Sequence, residues 1–295
     1  VKEKLTYADE MKLIKNLIKI SPLKMSGLAG GGISYTESEK TFLESEKDIY
    51  EGKGIVSATY LTSLTDKTDK AGDQTVKIDG RVYNAGKSNA VDWLGYNTEF
   101  YCKDDGNTII YIAPTDDNKE ITVRAEDIAD DTTKSRLSYY DERSQKKHYI
   151  IDEDADFILN GIAESFKKEK LFIDDGYLKL LDNDDDGKAD IVFAESYETA
   201  VVGSVDSDLN TITNKIGDSI TLEIPGRDKL VRVIKDGKEV TASEIYAGNV
   251  ISVAHGIGDT FDYYKIYIGT GAASGNISGV KLSDKKLLID GVQYD

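Results

Sequence analysis

Three Asp-Gly turns set between alternating apolar residues constrain this chain more than any other feature. Val76-Lys77-Ile78-Asp79-Gly80-Arg81-Val82-Tyr83 is matched closely by Leu287-Leu288-Ile289-Asp290-Gly291-Val292-Gln293-Tyr294, and Ile234-Lys235-Asp236-Gly237-Lys238 echoes both. Asp-Gly between such runs is a strong hairpin signal, because a two-residue turn that follows the strand twist needs positive φ at both positions. The surroundings repeat too. Residues 54–60 and 74–78 alternate as strands, 88–94 form a short helix closed by Gly95, and 98–102, 108–113 and 120–124 are further strands. The order returns with strands at 200–205, 220–224 and 231–235, a helical turn at 242–246, and strands at 250–254 and 264–268. A third copy begins at Gly275-Asn276-Ile277-Ser278-Gly279-Val280 and stops after Tyr294. Self-similarity over such distances predicts a mainly β protein of tandem small antiparallel β-barrel or sandwich modules.

A short helical segment precedes them. Thr6-Tyr7-Ala8-Asp9 is a capping box, after which Met11, Ile14, Leu17 and Ile18 recur at helical spacing until Ser21-Pro22. Residues 27–32 read as a flexible glycine link. A second box, Thr36-Glu37-Ser38-Glu39, opens a helix with Phe42, Leu43, Ile49 and Tyr50 on one face and Gly52 as its stop. The predicted organisation is a helical segment (1–52), a first β module (53–125), an inserted region (126–198), a second module (199–272) and an incomplete third module (273–295).

The inserted region carries the strongest chemical motif. In Asp182-Asn183-Asp184-Asp185-Asp186-Gly187-Lys188-Ala189-Asp190 the carboxylates alternate and glycine occupies the sixth place. A calcium loop needs this spacing, because Ca²⁺ takes about 6–8 oxygens and the chain must turn sharply around it. The candidate ligands are Asp182, Asp184, Asp186, the Lys188 carbonyl and Asp190. Position 12 is Phe193 and an apolar alternation follows, so the loop leads into a strand and is not an EF-hand. Glu195 or water is expected to supply the remaining ligand. A solvated acidic turn is the alternative, but five carboxylates within nine residues repel one another without a cation. Mg²⁺ fits less well because it keeps its waters. Asp152-Glu153-Asp154-Ala155-Asp156 repeats the alternation without the glycine, as a weaker second candidate. Lying just upstream of the second module, the Asp182 loop is expected to stiffen that junction.

Composition narrows the partners. A net charge of −17 argues against nucleic acid and anionic membranes, both of which need clustered Lys and Arg. Tyr outnumbers Phe 18 to 7, in keeping with strands. No apolar run reaches the roughly 18 residues of a membrane helix. The chain begins at Val1 without a visible signal peptide and reads as a processed product. The one cysteine, Cys102, lies in a strand pattern and is expected to be an inert buried thiol. His148 and His255 lack partners at zinc spacing, and Gly269-Thr270-Gly271-Ala272-Ala273-Ser274-Gly275 lacks the G-K-[ST] of a phosphate loop. No nucleophile elbow or zinc-protease motif occurs. A carboxylate pair could serve glycoside hydrolysis, yet a single tryptophan offers little sugar-stacking surface.

The calcium loop, with Gly54-Ile55-Val56, Leu94-Gly95-Tyr96, Ala125-Glu126-Asp127-Ile128, Leu159-Asn160-Gly161 and Ile234-Lys235-Asp236-Gly237-Lys238, resembles the non-enzymatic β-rich regions of large Gram-positive surface proteins anchored by S-layer homology domains. The resemblance covers residues 54–294, and Thr6-Tyr7-Ala8-Asp9-Glu10-Met11 looks like the start of an S-layer homology helix, without a full anchoring domain. It implies a secreted, cell-wall-associated structural role and supplies no catalytic residues. The expected protein is a calcium-stabilised subunit of a surface array or filament that self-assembles and contacts cell-wall polysaccharide. A calcium-stabilised polysaccharide hydrolase and a phage or host adhesin are the rival readings. The shortened third copy suggests a piece of a longer polypeptide, or last strands completed by another subunit.

Overall fold

The computed structural model describes residues 6, 12–13, 16–29, 32–103, 106–205, 211–216, 220–221, 228–259, 261–281 and 286–294. Two compact units divide the chain. One comprises Val1–Ser196 with Gly256–Asp259, and the other Tyr197–His255 with Thr260–Asp295.

The first unit opens differently from the helical segment that the sequence suggests. Residues 12–13 and 16–18 are helical, but β1 (Leu23–Ala29) and β2 (Gly32–Glu37) then pair as a hairpin across the expected glycine link. Thr36 and Glu37 pair with Lys24 and Leu23, so their backbone is extended and no helix starts there. Helix α1 (Phe42–Lys47) begins instead after Thr41. The Thr41 hydroxyl accepts the Glu44 N–H at 3.3 Å, and the Glu44 carboxylate accepts the Thr41 N–H at 2.9 Å. This is a capping box five residues later than the one at Thr36.

A closed barrel follows, as the alternation predicts. Its strands are β3 (Tyr50–Ala58), β4 (Thr75–Ile78), β5 (Arg81–Asn84), β6 (Asn97–Lys103) and β7 (Thr108–Pro114), joined in the order β3-β4-β5-β7-β6. The turn between β6 and β7, at Asp104-Asp105, lies outside the described residues. Val56, Val76, Ile78, Tyr83, Phe100, Cys102, Ile109 and Ile112 fill the interior, and the short 3₁₀ turn Ala90–Trp93 packs beside them. Alternate residues of β3, β4 and β6 point inward, as period-two patterning requires, whereas a bulge opposite Tyr101 and Cys102 turns Ile109 and Ile112 of β7 inward three residues apart.

The inserted region has a core of its own. It is a six-stranded sheet of β8 (Lys119–Arg124), β9 (Arg136–Tyr140), β10 (Lys146–Leu159), β11 (Ile162–Glu164), β12 (Gly176–Asp182) and β13 (Lys188–Ser196). The sequence places residues 120–124 at the end of the first module, but β8 pairs with β12, from Lys119 opposite Asp182 to Arg124 opposite Tyr177. One face of the sheet buries Leu137, Ile151, Phe157, Leu171, Leu178, Leu180 and Val192. The other face presents Ile158, Leu181 and Ile191, which pack with Tyr96, Trp93, Leu94 and Leu64 of the barrel segment. Adjacent residues of β12 and β13 therefore serve opposite cores, Leu180 and Val192 on one face and Leu181 and Ile191 on the other.

In the second unit, β14 (Glu198–Val205), β15 (Thr211–Asn214), β16 (Ile220–Thr221), β17 (Asp228–Lys235), β18 (Lys238–Val240), β19 (Val250–Ile257) and β20 (Phe261–Ile268) form a seven-stranded sheet in the order β16-β15-β14-β19-β20-β17-β18. Residues 222–224, expected to extend β16, lie outside the described residues. The unit ends in a separate three-stranded sheet of β21 (Ile277–Lys281), β22 (Lys286–Ile289) and β23 (Val292–Tyr294). The protein is thus mainly β. Among the described residues, three strand pairs are parallel, β5–β7, β10–β13 and β17–β20. Local hairpin signals cannot reveal such pairs, which join strands distant in sequence.

Candidate metal site

The acidic loop connects β12 to β13, which pair antiparallel from Gly176 opposite Ser196 to Leu181 opposite Ile191. It is a tight hairpin end. Asp185 and Gly187 take φ of 63° and 88°, and Gly187 meets the second at no steric cost. Asp182 organises the turn. Its carboxylate, 1% exposed, accepts the N–H groups of Asp185 at 2.7 Å, Gly187 at 2.8 Å and Asp184 at 3.3 Å. Asp190 accepts the Asn183 N–H at 2.8 Å. The backbone amides of the turn are therefore satisfied by the carboxylates that the motif placed there.

Asp182, Asp184 and Asp190 each offer a carboxylate oxygen, and these oxygens lie within 4.8 Å of one another. Oxygens bound to one Ca²⁺ at about 2.3–2.6 Å are at most about 5 Å apart. The three therefore fit a calcium-sized cation. Burial is the main cause that pushes the Asp190 carboxyl above the usual carboxylate range. The charges of Asp184, Asp182 and Asp186 add to it, against the lowering effect of the Asn183 N–H. A cation at this point would reverse the repulsion.

The other expected ligands are placed differently. Asp186 is exposed and does not belong to the convergent group. Its carboxylate accepts the Lys188 N–H at 2.8 Å and lies 3.5 Å from the Lys188 ammonium. Lys188 opens β13, so its carbonyl stands at the mouth of the loop. Glu195 pairs across the sheet with Tyr177 and accepts its hydroxyl proton at 3.1 Å, towards the far end of β13.

The second acidic run meets the same loop. Ile151 pairs with Ala189 and Asp156 with Ile191, so four residues of β10 bulge opposite Asp190 alone. Bulges of this kind re-aim side chains beside functional sites. With Ile55, Leu64, Asn183 and Ile191, the bulge lines a cleft of about 290 Å³ that also contains Asp190. Asp152 is paired with Lys188 at 3.3 Å, and burial followed by the Asp190 charge raises the Asp156 carboxyl. Among the described residues Asp152, Asp154 and Asp156 form no convergent carboxylate group of their own.

Sequence reasoning missed Asn183. Its side chain, 6% exposed, donates to the Gly95 carbonyl at 2.8 Å and so ties the loop to the barrel. Gly95 has φ of 85°, and a Cβ there would stand 2.5 Å from Ile191 Cδ1. The loop's close neighbour in this unit is therefore the barrel that precedes it. The motif gives no hint of this, since the second position of a calcium loop carries no ligand. Beside the seam, the Tyr96 hydroxyl donates to Glu120 and accepts from Lys179 Nζ at 2.9 Å, while the Lys179 ammonium lies 4.6 Å above the Phe193 ring.

The remaining candidates stay apart. His148 Nδ1 is 3.0 Å from the Ser138 hydroxyl on an exposed stretch of β10. His255 belongs to the second unit and stacks on Tyr264 at 4.3 Å. Cys102 is buried in the barrel. The glycine-rich stretch 269–275 leads into β21, where a phosphate loop would need a helix. No helix among the described residues is long and apolar enough to cross a membrane. No family model matches the chain, and no curated protein matches it either.

Proposed function

We propose that this is a non-enzymatic structural protein of a bacterial cell surface, a subunit of an S-layer or surface filament stabilised by Ca²⁺. The convergence of Asp182, Asp184 and Asp190 at a seam between two packed β elements carries the reading. Asp182, Asp184 and Asp190 hold the ion, with Asp186 and the Lys188 carbonyl adjusting toward it. The bound ion supplies positive charge that offsets the carboxylate repulsion and rigidifies the β12–β13 turn. Asn183 passes that rigidity to Gly95 and the barrel. Tandem β modules and a net charge of −17 suit a secreted polypeptide that assembles with its own kind and lies against cell-wall polysaccharide when a divalent cation is present.

Calorimetric titration of chelator-treated protein tests the ion. Wild type is expected to bind one Ca²⁺, with extracellular sites typically at about 10⁻⁴–10⁻³ M, and Asp184→Ala is expected to abolish binding. Absence of binding by wild type at millimolar Ca²⁺ rejects the calcium reading. Electron microscopy of purified protein with and without Ca²⁺ tests the role. Ordered sheets or filaments that need the ion support it, and a monodisperse monomer under both conditions opposes it.

A further inference from the structure

The three terminal strands reproduce the opening strands of the closed barrel in atomic detail. A Cβ on Gly54 would collide with the Asp79 carboxylate and come within 2.8 Å of Ile78 Cγ2. A Cβ on Gly275 would collide with the Asp290 carboxylate and come within 2.7 Å of Ile289 Cγ2. The Ile55 N–H donates to Asp79 Oδ1 at 3.0 Å, and the Asn276 N–H donates to Asp290 Oδ1 at 3.0 Å. The Asp N–H groups return bonds to the Ile55 and Asn276 carbonyls at 3.0 and 2.8 Å. Gly80 donates to the Ser57 hydroxyl at 3.4 Å, as Gly291 does to Ser278 at 2.9 Å. Both first strands are bulged at the same place. The register passes from Val56–Ile78 to Ala58–Lys77 in one, and from Ile277–Ile289 to Gly279–Leu288 in the other. The return strands match as well, Val76 opposite Tyr83 and Leu287 opposite Tyr294.

The two faces differ only in what covers them. Val56, Val76, Ile78 and Tyr83 are 0%, 0%, 2% and 9% exposed. Their counterparts are Ile277 at 66%, Tyr294 at 41%, and the half-buried Leu287 and Ile289. In the barrel the cover is the β6–β7 hairpin, with Phe100, Cys102, Ile109 and Ile112 turned inward. β6 pairs antiparallel with residues 50–55 of β3, and β7 pairs parallel with β5. Residues 271–276, at the place of 50–55, are exposed and without regular structure, and β21 and β23 have no outer strand partner among the described residues. An open edge beside an apolar face is a template for added strands.

We propose that β21–β23 is the docking face for a β-hairpin of the β6–β7 kind. Its first strand adds antiparallel to residues 271–276 and its second adds parallel to β23. Its alternate apolar side chains cover Ile277, Leu287, Ile289 and Tyr294, closing a second five-stranded barrel. The inference is independent of the calcium loop and of the surface-array reading.

The test appends residues 85–116 of this chain directly after its Asp295, which restores the spacing between β5 and β6. Hydrogen exchange at residues 271–294 is then expected to slow by about a hundredfold or more. The same extension carrying Phe100→Asp and Ile112→Asp in the appended copy is expected to leave exchange fast. Unchanged exchange with the intact extension overturns the proposal. So does a protein without the extension that already protects these amides as a dimer which Ile277→Asp dissociates, since a second copy would then be the cover.

Discussion

At the scale of single residues, Asn183 carries more of the seam than its place in the motif suggests. Its buried amide bonds the Gly95 carbonyl, and its backbone N–H bonds Asp190. Asn183→Ala removes only the first of these and leaves a buried carbonyl unsatisfied, a loss of about 1–3 kcal/mol. Urea denaturation is expected to show that loss while Asp182, Asp184 and Asp190 stay in place. Cys102 gives a second residue-scale prediction. Burial in the barrel pushes its thiol up to about 11, against the small lowering effect of Arg81. An unfolded thiol ionises near pH 8.5, so reaction with a disulfide reagent at pH 8 is expected to be slow in the native protein and fast in denaturant. Rapid modification of native protein would show that the barrel opens on the time scale of the assay.

At the scale of elements, local chemistry was legible and long-range pairing was not. The Asp79-Gly80, Asp236-Gly237 and Asp290-Gly291 turns all adopt positive φ at both positions, as the sequence pattern requires. The acidic loop falls between two strands, with Asp182, Asp184 and Asp190 brought together. What the pattern could not give was partnership. β8 leaves the first module because Ile121 and Val123 pack with the core that β12 carries, and no local signal marks that choice. Asp186 fits the spacing of ligands and Glu195 is the candidate for the ligand missing at Phe193, yet Lys188 and Tyr177 engage them. The glycines of residues 27–32 suggested a link because glycine weakens a strand, but pairing of β1 with β2 overrides that propensity. A cation that binds only the folded hairpin adds about 2.7 kcal/mol at a hundredfold excess over Kd. Hydrogen exchange is expected to record this in β12, β13 and the residues around Gly95. Slowing spread evenly along the chain would mean that the ion acts elsewhere.

At the scale of the whole molecule, the two units have separate cores, one built around Leu178, Leu180 and Val192 and the other around Val202, Ile251 and Ile266. Chains of this kind depart from two-state unfolding. Calorimetry of the full protein is expected to resolve two transitions, of which Ca²⁺ raises only the one that belongs to the Asp182 loop. A single transition that shifts as a whole would show the units to be energetically coupled. The parallel pairing of β10 with β13 bears on the order in which the first unit is expected to fold. β12 and β13 are joined by the short acidic turn, whereas β10 reaches β13 only after β11 and β12 have intervened. Short closures precede long ones because they cost less chain entropy. The acidic turn is therefore expected to form before the sheet is complete, at a stage when its crowded negative charge opposes closure. On the calcium reading proposed above, the ion is expected to act on the speed of folding as well as on the lifetime of the folded state, and refolding in millimolar Ca²⁺ is expected to complete the sheet faster than refolding in chelator.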